Sequence, residues 1–318
     1  MKRLPRAILP LLFVLLALLL FSACRKSPEP TDVRIASLKG PTTIGLLALA
    51  DDAVPHLDSY SFVMETEASA VAARLVSEDC DIALLPANLA AILFQKTDGA
   101  VAAIDINTLG VLYCVTGDET VRSVADLAGK TVYLTGQGTT PEYVLRYLLE
   151  RSGITDCTLV FKSEATEVAA VLAADPSLTA VLPQPFATAV QLKNTALREA
   201  FSLTDAWDEV SDGSRLLTGV TVVRKAFLEA HPDAVSRFLD AHRESASYDA
   251  KVLASLAVSQ GIIASETIAE KALPKCGLTC VTGDEMKRLL SGYLSVLYAA
   301  DPASVGGSLP SDSFYYAE

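Results

Sequence analysis

Runs with the pattern of β-strands alternate with runs with the pattern of α-helices along most of this chain. Residues 60–64, 81–85 and 130–134 are apolar segments typical of strands, whereas residues 68–77 and 142–151 have apolar side chains at helical spacing. Strands that are joined by helices run parallel to one another. The alternation therefore predicts an α/β fold with mostly parallel sheets, covered by helices on both faces.

One turn between a predicted strand and a predicted helix has the composition of a ligand-binding loop. It is residues 136–143, with the sequence Gly-Gln-Gly-Thr-Thr-Pro-Glu-Tyr. The glycines allow a tight turn, a threonine can cap the helix, and Pro141 suits its first turn. A helix start presents free N–H groups and a positive dipole end, which suits an anion or a polar oxygen. The candidate ligand contacts here are Gly136, Gln137, Gly138, Thr139 and Thr140.

A similar turn follows the first predicted strand, residues 33–38. Its candidate ligand contacts are Lys39, Gly40, Pro41, Thr42 and Thr43. We expect the two loops to face each other across one cleft. The alternative, which the sequence leaves open, is that both are ordinary turns between a strand and a helix.

The strand–helix pattern restarts near residue 117, which predicts two α/β lobes. Residues 33–117 would form the first part of lobe 1, residues 118–217 would form lobe 2, and residues 218–318 would return to lobe 1 and add the C-terminal helices. Two crossings between the lobes predict a hinge. The ligand would lie between the lobes, near the carboxyl ends of both sets of strands.

Residues 1–23 have the parts of an export leader. A basic start precedes an apolar run at residues 7–20, which is short for a membrane span. The run ends in Leu-Phe-Ser-Ala-Cys, which resembles a bacterial lipobox with Phe21 where leucine is usual. We expect cleavage before Cys24, lipidation of Cys24, and a polar tether over residues 24–32 that holds the folded part outside the cell. An ordinary signal peptide with an incidental cysteine is the alternative.

Charge restricts the class of partner. The chain of 318 residues has a formal net charge of −12, with 51% apolar and 20% charged residues. The composition suits a globular protein with a substantial core. Nucleic acid and anionic membrane surfaces both require a basic patch. We therefore expect no nucleic-acid partner, and membrane association through the lipid anchor alone.

Five cysteines remain after Cys24, an odd number that argues against a complete disulfide framework. Cys276 and Cys280 are close enough in sequence to close a small ring, since export permits oxidation. Free thiols and a metal site are the alternatives for this pair. The metal reading is weak from the sequence, because no second cysteine pair and no histidine lies nearby.

Catalysis has little support in the sequence. The histidines, His56, His231 and His242, do not lie beside a candidate nucleophile. The chain has no Gly-x-Ser-x-Gly, no His-Glu-x-x-His and no phosphate-loop lysine. We predict no catalytic residues, no bound metal and no cofactor, while a triad formed in space by distant residues stays open.

Several segments together resemble one protein family, the substrate-binding proteins of bacterial ABC importers. They include Leu-Lys-Gly-Pro-Thr after the first strand, Asp-Ile-Ala-Leu-Leu-Pro-Ala-Asn at residues 81–88, Asp-Leu-Ala-Gly-Lys at residues 126–130, the loop at residues 136–143, and Leu-Pro-Gln-Pro-Phe at residues 182–186. The closest group is the nitrate, sulfonate and taurine type, which includes binders of thiamine-pyrimidine-like compounds. The resemblance covers residues 33–316.

This resemblance implies a type 2 periplasmic-binding-protein fold, an α/β fold of two lobes joined by a two-crossing hinge. It implies ligand contacts from the two loops above and from Asn88, Gln184 and Phe186. Relatives often have glutamate where this chain has Gln184, so a cationic ligand group is less supported here. Tyr113, Tyr143 and Trp207 are candidates to stack on a planar ligand, with core packing as the alternative for Tyr113 and Tyr143.

The function that the resemblance implies is solute reception. A monomer would bind a small polar or anionic organic ligand, sulfonate- or taurine-like or pyrimidine-like, close its lobes, and deliver the ligand to an ABC permease. One alternative is an enzyme on the same fold, similar to a thiamine-pyrimidine synthase or a quinone-pathway lyase. Another is a sensory or adhesion module that binds a protein.

Overall fold

The computed structural model describes residues 29–51, 53–211 and 213–317. The chain divides into two units, Met1–Pro30 and Thr31–Glu318, and the second contains all the helices and strands described below. The predicted leader, Cys24 and most of the tether therefore lie outside the described residues. In the part that is described, no helix combines the length and the apolar character that a membrane span requires.

Strands and helices alternate as the sequence pattern predicts. The strands are β1 (Asp32–Leu38), β2 (Ser59–Glu65), β3 (Ile82–Pro86), β4 (Val101–Leu109), β5 (Leu112–Thr116), β6 (Thr131–Leu134), β7 (Thr158–Phe161), β8 (Thr179–Pro183), β9 (Arg198–Ser202), β10 (Leu217–Arg224) and β11 (Leu278–Val281). The helices are α1 (Pro41–Ile44), α2 (Ala68–Val76), α3 (Ala87–Lys96), α4 (Thr140–Arg151), α5 (Ala165–Ala174), α6 (Phe186–Lys193), α7 (Leu203–Val210), α8 (Lys225–Ala230), α9 (Pro232–Ala246), α10 (Ala250–Ser259), α11 (Glu266–Ala272) and α12 (Gly283–Ala300).

The strands form two mixed sheets, in the orders β11–β4–β10–β3–β1–β2 and β7–β6–β8–β5–β9. Strands joined through helices run parallel, as predicted: β1 with β2 and β3, and β6 with β7 and β8. The prediction of mostly parallel sheets was wrong for the remaining pairs. Strands β5 and β10, which enter one sheet from the other, insert antiparallel because no crossover helix fixes their direction.

The first crossing between the sheets lies earlier than the predicted lobe boundary. Strand β4 ends at Leu109 in the first sheet, and β5 begins at Leu112 in the second. The predicted bounds of residues 33–117 put β5 in the first lobe, because the strand–helix pattern restarts only near residue 117. The chain returns to the first sheet at β10. The division into lobes at the other predicted bounds stays a prediction.

Two strands and one helix differ from the sequence expectation. Strands β9 and β11 were not predicted, because their sequences, Arg-Glu-Ala-Phe-Ser and Leu-Thr-Cys-Val, are too short to show a period. The helix predicted over residues 44–51 is instead the single turn α1 followed by a 3-10 turn, Leu47–Ala50. Gly45 lies between them and is a poor helix former.

A continuous apolar core connects the two sheets through α12. This helix buries residues at helical spacing, including Met286, Leu290, Tyr293 and Leu297. Trp207 of α7 is fully buried against it, with its ring centroid 5.4 Å from that of Tyr293. Trp207 is therefore a core residue, and its predicted alternative role as a ligand-stacking side chain is wrong.

A buried carboxylate connects the central strands of the first sheet. Asp81, at the start of β3, accepts hydrogen bonds from the guanidinium groups of Arg34 in β1 and Arg224 in β10, each 2.7 Å from Oδ1 at its nearest nitrogen. Burial would raise the pKa of Asp81, but these hydrogen bonds outweigh it and hold the pKa below its ordinary value. The ionised carboxylate thus stabilises the sheet from which the first loop emerges.

Candidate ligand-binding cleft

A cleft of about 1390 Å³ lies between the two sheets. Its walls include the segments that follow β1, β2 and β3 in the first sheet and β6, β7 and β8 in the second. The carboxyl ends of parallel strands are the usual binding edge of an α/β sheet. Both loops predicted to bind ligand therefore line the same cleft.

The threonine hydroxyls of the first loop form hydrogen bonds within the protein. The hydroxyls of Thr42 and Thr43 donate to the carbonyl oxygen of Leu38, at 3.2 and 2.8 Å. These bonds hold α1 against the end of β1. Both hydroxyl protons are thus engaged within the protein. Lys39, which is exposed, brings a positive charge to this side of the cleft.

The second loop is shaped by two left-handed glycines. Gly136 and Gly138 have φ of 80° and 73°. A Cβ on Gly136 would lie 2.7 Å from Oγ1 of Thr139 and 2.8 Å from Cγ of Pro141, so only glycine fits there. The hydroxyl of Thr139 donates to the carbonyl oxygen of Gly136 at 2.8 Å. Here too the hydroxyl stabilises the turn.

A carboxylate is already present at the start of helix α4. The amide N–H of Gly138 donates to Oε2 of Glu142 at 2.7 Å, and Nε of Arg146 lies 2.8 Å from Oε1 of the same residue. The helix dipole favours a negative group at this position. A ligand anion at the second loop would therefore meet both the helix start and the charge of Glu142.

Ten of the thirteen predicted contact residues line the cleft and three do not. Those in the wall are Lys39, Gly40, Pro41, Thr42, Gly136, Gln137, Gly138, Thr139, Thr140 and Phe186. Thr43, Asn88 and Gln184 lie behind the wall, and each is buried. Their predicted direct contact with a ligand does not fit these positions. Thr140 Oγ1 is buried in the wall without a hydrogen-bond partner among the described residues.

Asn88 connects elements of the two sheets. Its Nδ2 donates to the carbonyl oxygen of Gly138 at 3.3 Å and to that of Ser304 at 3.2 Å. Helix α3, which carries Asn88, follows β3 of the first sheet, whereas Gly138 follows β6 of the second. Asn88 therefore positions the second loop against the first sheet.

Gln184 also supports a contact between the two sheets. Its Nε2 donates to Oε1 of Glu199 at 2.9 Å, and its Oε1 accepts from the hydroxyl of Thr188 at 2.8 Å. Glu199 of β9 in turn pairs with Lys275, whose Nζ lies 2.6 Å from Oε2. A glutamate in place of Gln184 would put two carboxylates together. The structure thus gives a reason for the neutral side chain in this chain.

Other residues of the wall were missed by the sequence analysis. Lys162 and Lys193 line the cleft after β7 and at the end of α6. Part of the wall is apolar, from Ala169, Ala170 and Ala173 of α5 and from Ile262 and Ile263. Alanines spaced along a helix carry no binding signal. Among these residues, only Lys162, a lysine next to a strand-like run, could have been predicted from the sequence to lie at the cleft.

The cleft is positively charged relative to the rest of the protein. Its charged residues are Lys39, Lys162 and Lys193 against Glu67 and Glu164. Within the described part of the chain none of these lysines has an acidic partner within 4 Å, whereas Glu164 caps α5 through the backbone of that helix. The lysines therefore leave an unneutralised positive charge in a protein whose formal net charge is −12.

The candidate stacking tyrosines and the histidines lie outside the wall. Tyr113 and Tyr143 are partly buried, and burial, then the nearby charge of Glu199, raises the pKa of Tyr113 to about 12. Neither tyrosine lines the cleft, and the three histidines, all of which the structure describes, do not line it. The wall thus offers backbone donors, ammonium groups and apolar surface.

Comparison with known proteins identifies the fold. Residues 98–251 match the model of the NMT1/THI5-like family. No curated protein sequence matches the chain. An ABC transporter structure from Parabacteroides distasonis has a TM-score of 0.76 and 24% identity, over 90% of this chain and 99% of that chain.

Two further structures with known ligands are similar. The alkanesulfonate-binding protein SsuA from Xanthomonas axonopodis pv. citri, bound to MOPS, has a TM-score of 0.64 and 16% identity, over 90% of this chain and 96% of its own. The periplasmic nitrate-binding protein NrtA from Synechocystis PCC 6803 has a TM-score of 0.61 and 11% identity, over 88% and 85%. The predicted fold is confirmed: this chain has the α/β fold of these periplasmic binding proteins, and its residues 98–251 are similar to the NMT1/THI5-like family.

Proposed function

We propose that this chain is the extracytoplasmic solute receptor of an ABC importer and that it binds a small anionic organic ligand in the cleft. The observation that carries the proposal is the set of lysines without acidic partners, Lys39, Lys162 and Lys193, around a cleft in an acidic protein. Ammonium groups and backbone N–H groups form their strongest hydrogen bonds with anions. A carboxylate or sulfonate fits this donor set better than a cation does.

The apolar part of the wall favours an organic ligand over a small inorganic anion. Helix α5 and the segment at residues 261–264 contribute alanine and isoleucine side chains. Pockets for organic ligands combine such apolar walls with a few polar groups. A sulfonate- or taurine-like ligand would place its anionic head near the lysines. A pyrimidine-like ligand would use the same backbone N–H groups through its ring carbonyl.

Delivery to a permease would follow lobe closure. The ligand would contact the loops after β1 and β6 at once, and a closed state is favoured only when contacts to both lobes strengthen on closure. The chain would act as a monomer, exported and anchored through the lipid on Cys24. Its partners would be the membrane subunits of the importer.

The first experiment is to identify the ligand. The purified full chain would be denatured and its retained small molecules read by mass spectrometry. A thermal-shift screen of sulfonates, nitrate, pyrimidines and amino acids would follow, with calorimetry on the hits. We expect an organic anion to raise the melting temperature. Stabilisation by none of these compounds, together with unchanged small-angle scattering, would contradict a ligand-closed receptor.

Two variants that each remove one positive charge test the role of the lysines. Lys162→Gln removes one ammonium group of the wall, and Lys251→Gln removes one from the exposed surface of α10. We expect Lys162→Gln to lower the affinity for the anion roughly three- to tenfold, since one charge-assisted hydrogen bond is lost. Lys251→Gln should bind as the parent does. Equal affinity for all three proteins would place the anion elsewhere.

A further inference from the structure

A second polar cluster lies in the first sheet, apart from the wall of the cleft. It consists of Asp105 in β4, His242 in α9 and Cys280 in β11. One donor atom from each residue lies within 4.8 Å of the others, and Nδ1 of His242 is 3.1 Å from Oδ2 of Asp105. Asp105 and His242 are fully buried. Three residues far apart in sequence thus present oxygen, nitrogen and sulfur at one point.

The fold fixes this convergence from three directions. Strands β4 and β11 are neighbours in the sheet, with Val281 opposite Ile106, and α9 packs on β11. Sγ of Cys280 lies 3.9 Å from the carbonyl oxygen of Leu239, one turn before His242 in α9. Both the thiol and the imidazole therefore face the same layer between helix and sheet.

Neighbouring side chains orient the carboxylate. The hydroxyl of Thr221 in β10 donates to Oδ1 of Asp105 at 2.8 Å, and Nδ2 of Asn107 donates to Oγ1 of Thr221 at 3.1 Å. This series of hydrogen bonds leaves Oδ2 of Asp105 directed at His242. Nε2 of His242 is buried against Gly45 without a hydrogen-bond partner among the described residues. The imidazole is consequently positioned through Nδ1 alone.

Compensation of the Asp105 carboxylate by protein charges depends on the His242 ring, which is a cation only when protonated. Among the described residues no lysine or arginine lies within 4 Å of the Asp105 carboxylate, whose ion-pair partner is the His242 ring. A buried carboxylate requires compensation. A divalent cation would balance the Asp105 carboxylate and a Cys280 thiolate together, with a neutral imidazole as the third donor.

We propose that Asp105, His242 and Cys280 form a site for a divalent cation of the zinc type. Thiolate and imidazole donors select zinc-like ions over magnesium and calcium, which prefer oxygen alone. Bond lengths of about 2.0 Å to nitrogen or oxygen and about 2.3 Å to sulfur put neighbouring donors roughly 3–4 Å apart. The separation of Nδ1 and Oδ2 already matches, and rotation of Cys280 completes the set. Water would occupy the fourth position.

Such an ion would link β4, β11 and α9, the parts of the first sheet that are formed by distant segments of the chain. Metal that binds only the folded state raises the melting temperature. The effect is independent of the cleft, because no residue of the cluster lines it. The metal site and the ligand site can therefore be tested separately.

The test uses cobalt as a spectroscopic probe for zinc. The purified full chain is stripped with a chelator, and Co²⁺ is titrated while the near-ultraviolet and visible spectra are recorded. We expect one equivalent to bind, a thiolate-to-cobalt charge-transfer band to appear, and one equivalent of Zn²⁺ to remove it. Each metal should also raise the melting temperature.

Matched cysteine variants locate the site. Cys280→Ser should lose the charge-transfer band and bind Co²⁺ more than tenfold more weakly. Cys157→Ser, which changes another partly buried cysteine, should retain both. His242→Gln should also lose the band, and if it does not fold, the cysteine pair still decides. A band that persists in Cys280→Ser, or no band in the folded parent, would show that the cluster is only a hydrogen-bonded Asp–His pair beside a thiol.

Discussion

Residues 39–42 and residues 136–140 follow parallel strands of two different sheets and line the same cleft, yet only the second loop has a carboxylate in its own helix. In the first loop the threonine hydroxyls bind Leu38 and the charge is that of Lys39. In the second, Glu142 accepts the N–H of Gly138. Similar turn sequences can therefore give opposite local electrostatics, because one acid four residues further on decides the sign.

The largest effect should come from the strands that support the two loops. Asp81→Asn removes the carboxylate that joins β1, before the first loop, to β10, and we expect it to lower the free energy of unfolding by about 2–3 kcal/mol. Asp118→Asn removes the partner of Lys130, before the second loop, where the pair is solvent-accessible. It should change stability far less. Urea unfolding measures both.

Acid should distinguish these proteins further. The folded-state pKa of Asp81 lies below its ordinary value of 3.8. Its ionised form therefore contributes stability above pH 3.8, and that contribution is lost as the pH falls through the folded-state pKa. Between neutral pH and pH 3 the parent should lose more stability than Asp81→Asn. If the free energy of unfolding fell equally with pH in the parent and in Asp81→Asn, Asp81 would not control stability in acid.

A packing change should disturb the first loop and leave the second in place. A Cβ on Gly219 would meet Oδ1 of Asn107 at 2.4 Å and Cγ2 of Thr42 at 2.6 Å. Gly219→Ala should lower the free energy of unfolding by about 1–3 kcal/mol through overpacking. It should also lower the affinity for the ligand by displacing Thr42. Gly292→Ala, in α12, meets no atom closer than 3.9 Å and should be neutral or slightly stabilising. Thermal melts and calorimetry report the two effects.

The charges of the two loops give a direct contrast in affinity. Lys39→Gln should lower the affinity for an anionic ligand about tenfold, equivalent to about 1.4 kcal/mol of binding free energy, because it removes the cation of the first loop. Glu142→Gln should raise the affinity for the same ligand by roughly two- to fivefold, because it removes a negative charge from the start of helix α4. Titration calorimetry at two salt concentrations measures both. Effects of the same sign would contradict the contrast.

The smallest change concerns thiols. Burial raises the pKa of Cys276, beneath the first loop, and of Cys114, in the second sheet, to about 12 each. At pH 8 the thiolate fraction of both is negligible, so iodoacetamide should modify neither in the folded protein. The partly buried Cys157 should react first. In the described structure none of the five cysteines forms a disulfide, so mass spectrometry should find Cys276 and Cys280 unlinked.

Much of the scaffold follows from sequence pattern, whereas the roles of side chains at the cleft follow only in part. Helix α2 covers Ala68–Val76, where the spacing of residues 68–77 predicts a helix, and both loops reach the cleft because each follows a strand. Ligand contact by Asn88 and Gln184 was predicted from the family resemblance of the segments at residues 81–88 and 182–186. Their partners, Ser304 and Glu199, are 216 and 15 residues away. Local pattern does not encode such partners.

The same limit applies to the metal cluster. Cys280 was considered together with Cys276 because the two are close in sequence. In space Cys276 donates to Ala272 within its own helical turn, whereas Cys280 lies beside Asp105 and His242. The relevant neighbours are 38 and 175 residues from Cys280 and come together only through the pairing of β11 with β4. Sheet order, which the sequence did not predict, decides which residues can meet.

The insertion of β10 between β3 and β4 also has a consequence for the order in which the chain folds. The second sheet uses residues 112–202 without interruption, so it can be completed as soon as that segment is available. The first sheet lacks an internal strand until residue 224 has emerged, and its edge strand β11 arrives later still. During the proposed export, therefore, the middle of the chain should become protease-resistant before its beginning does, and β3 and β4 would wait with unpaired edges that a chaperone could cover.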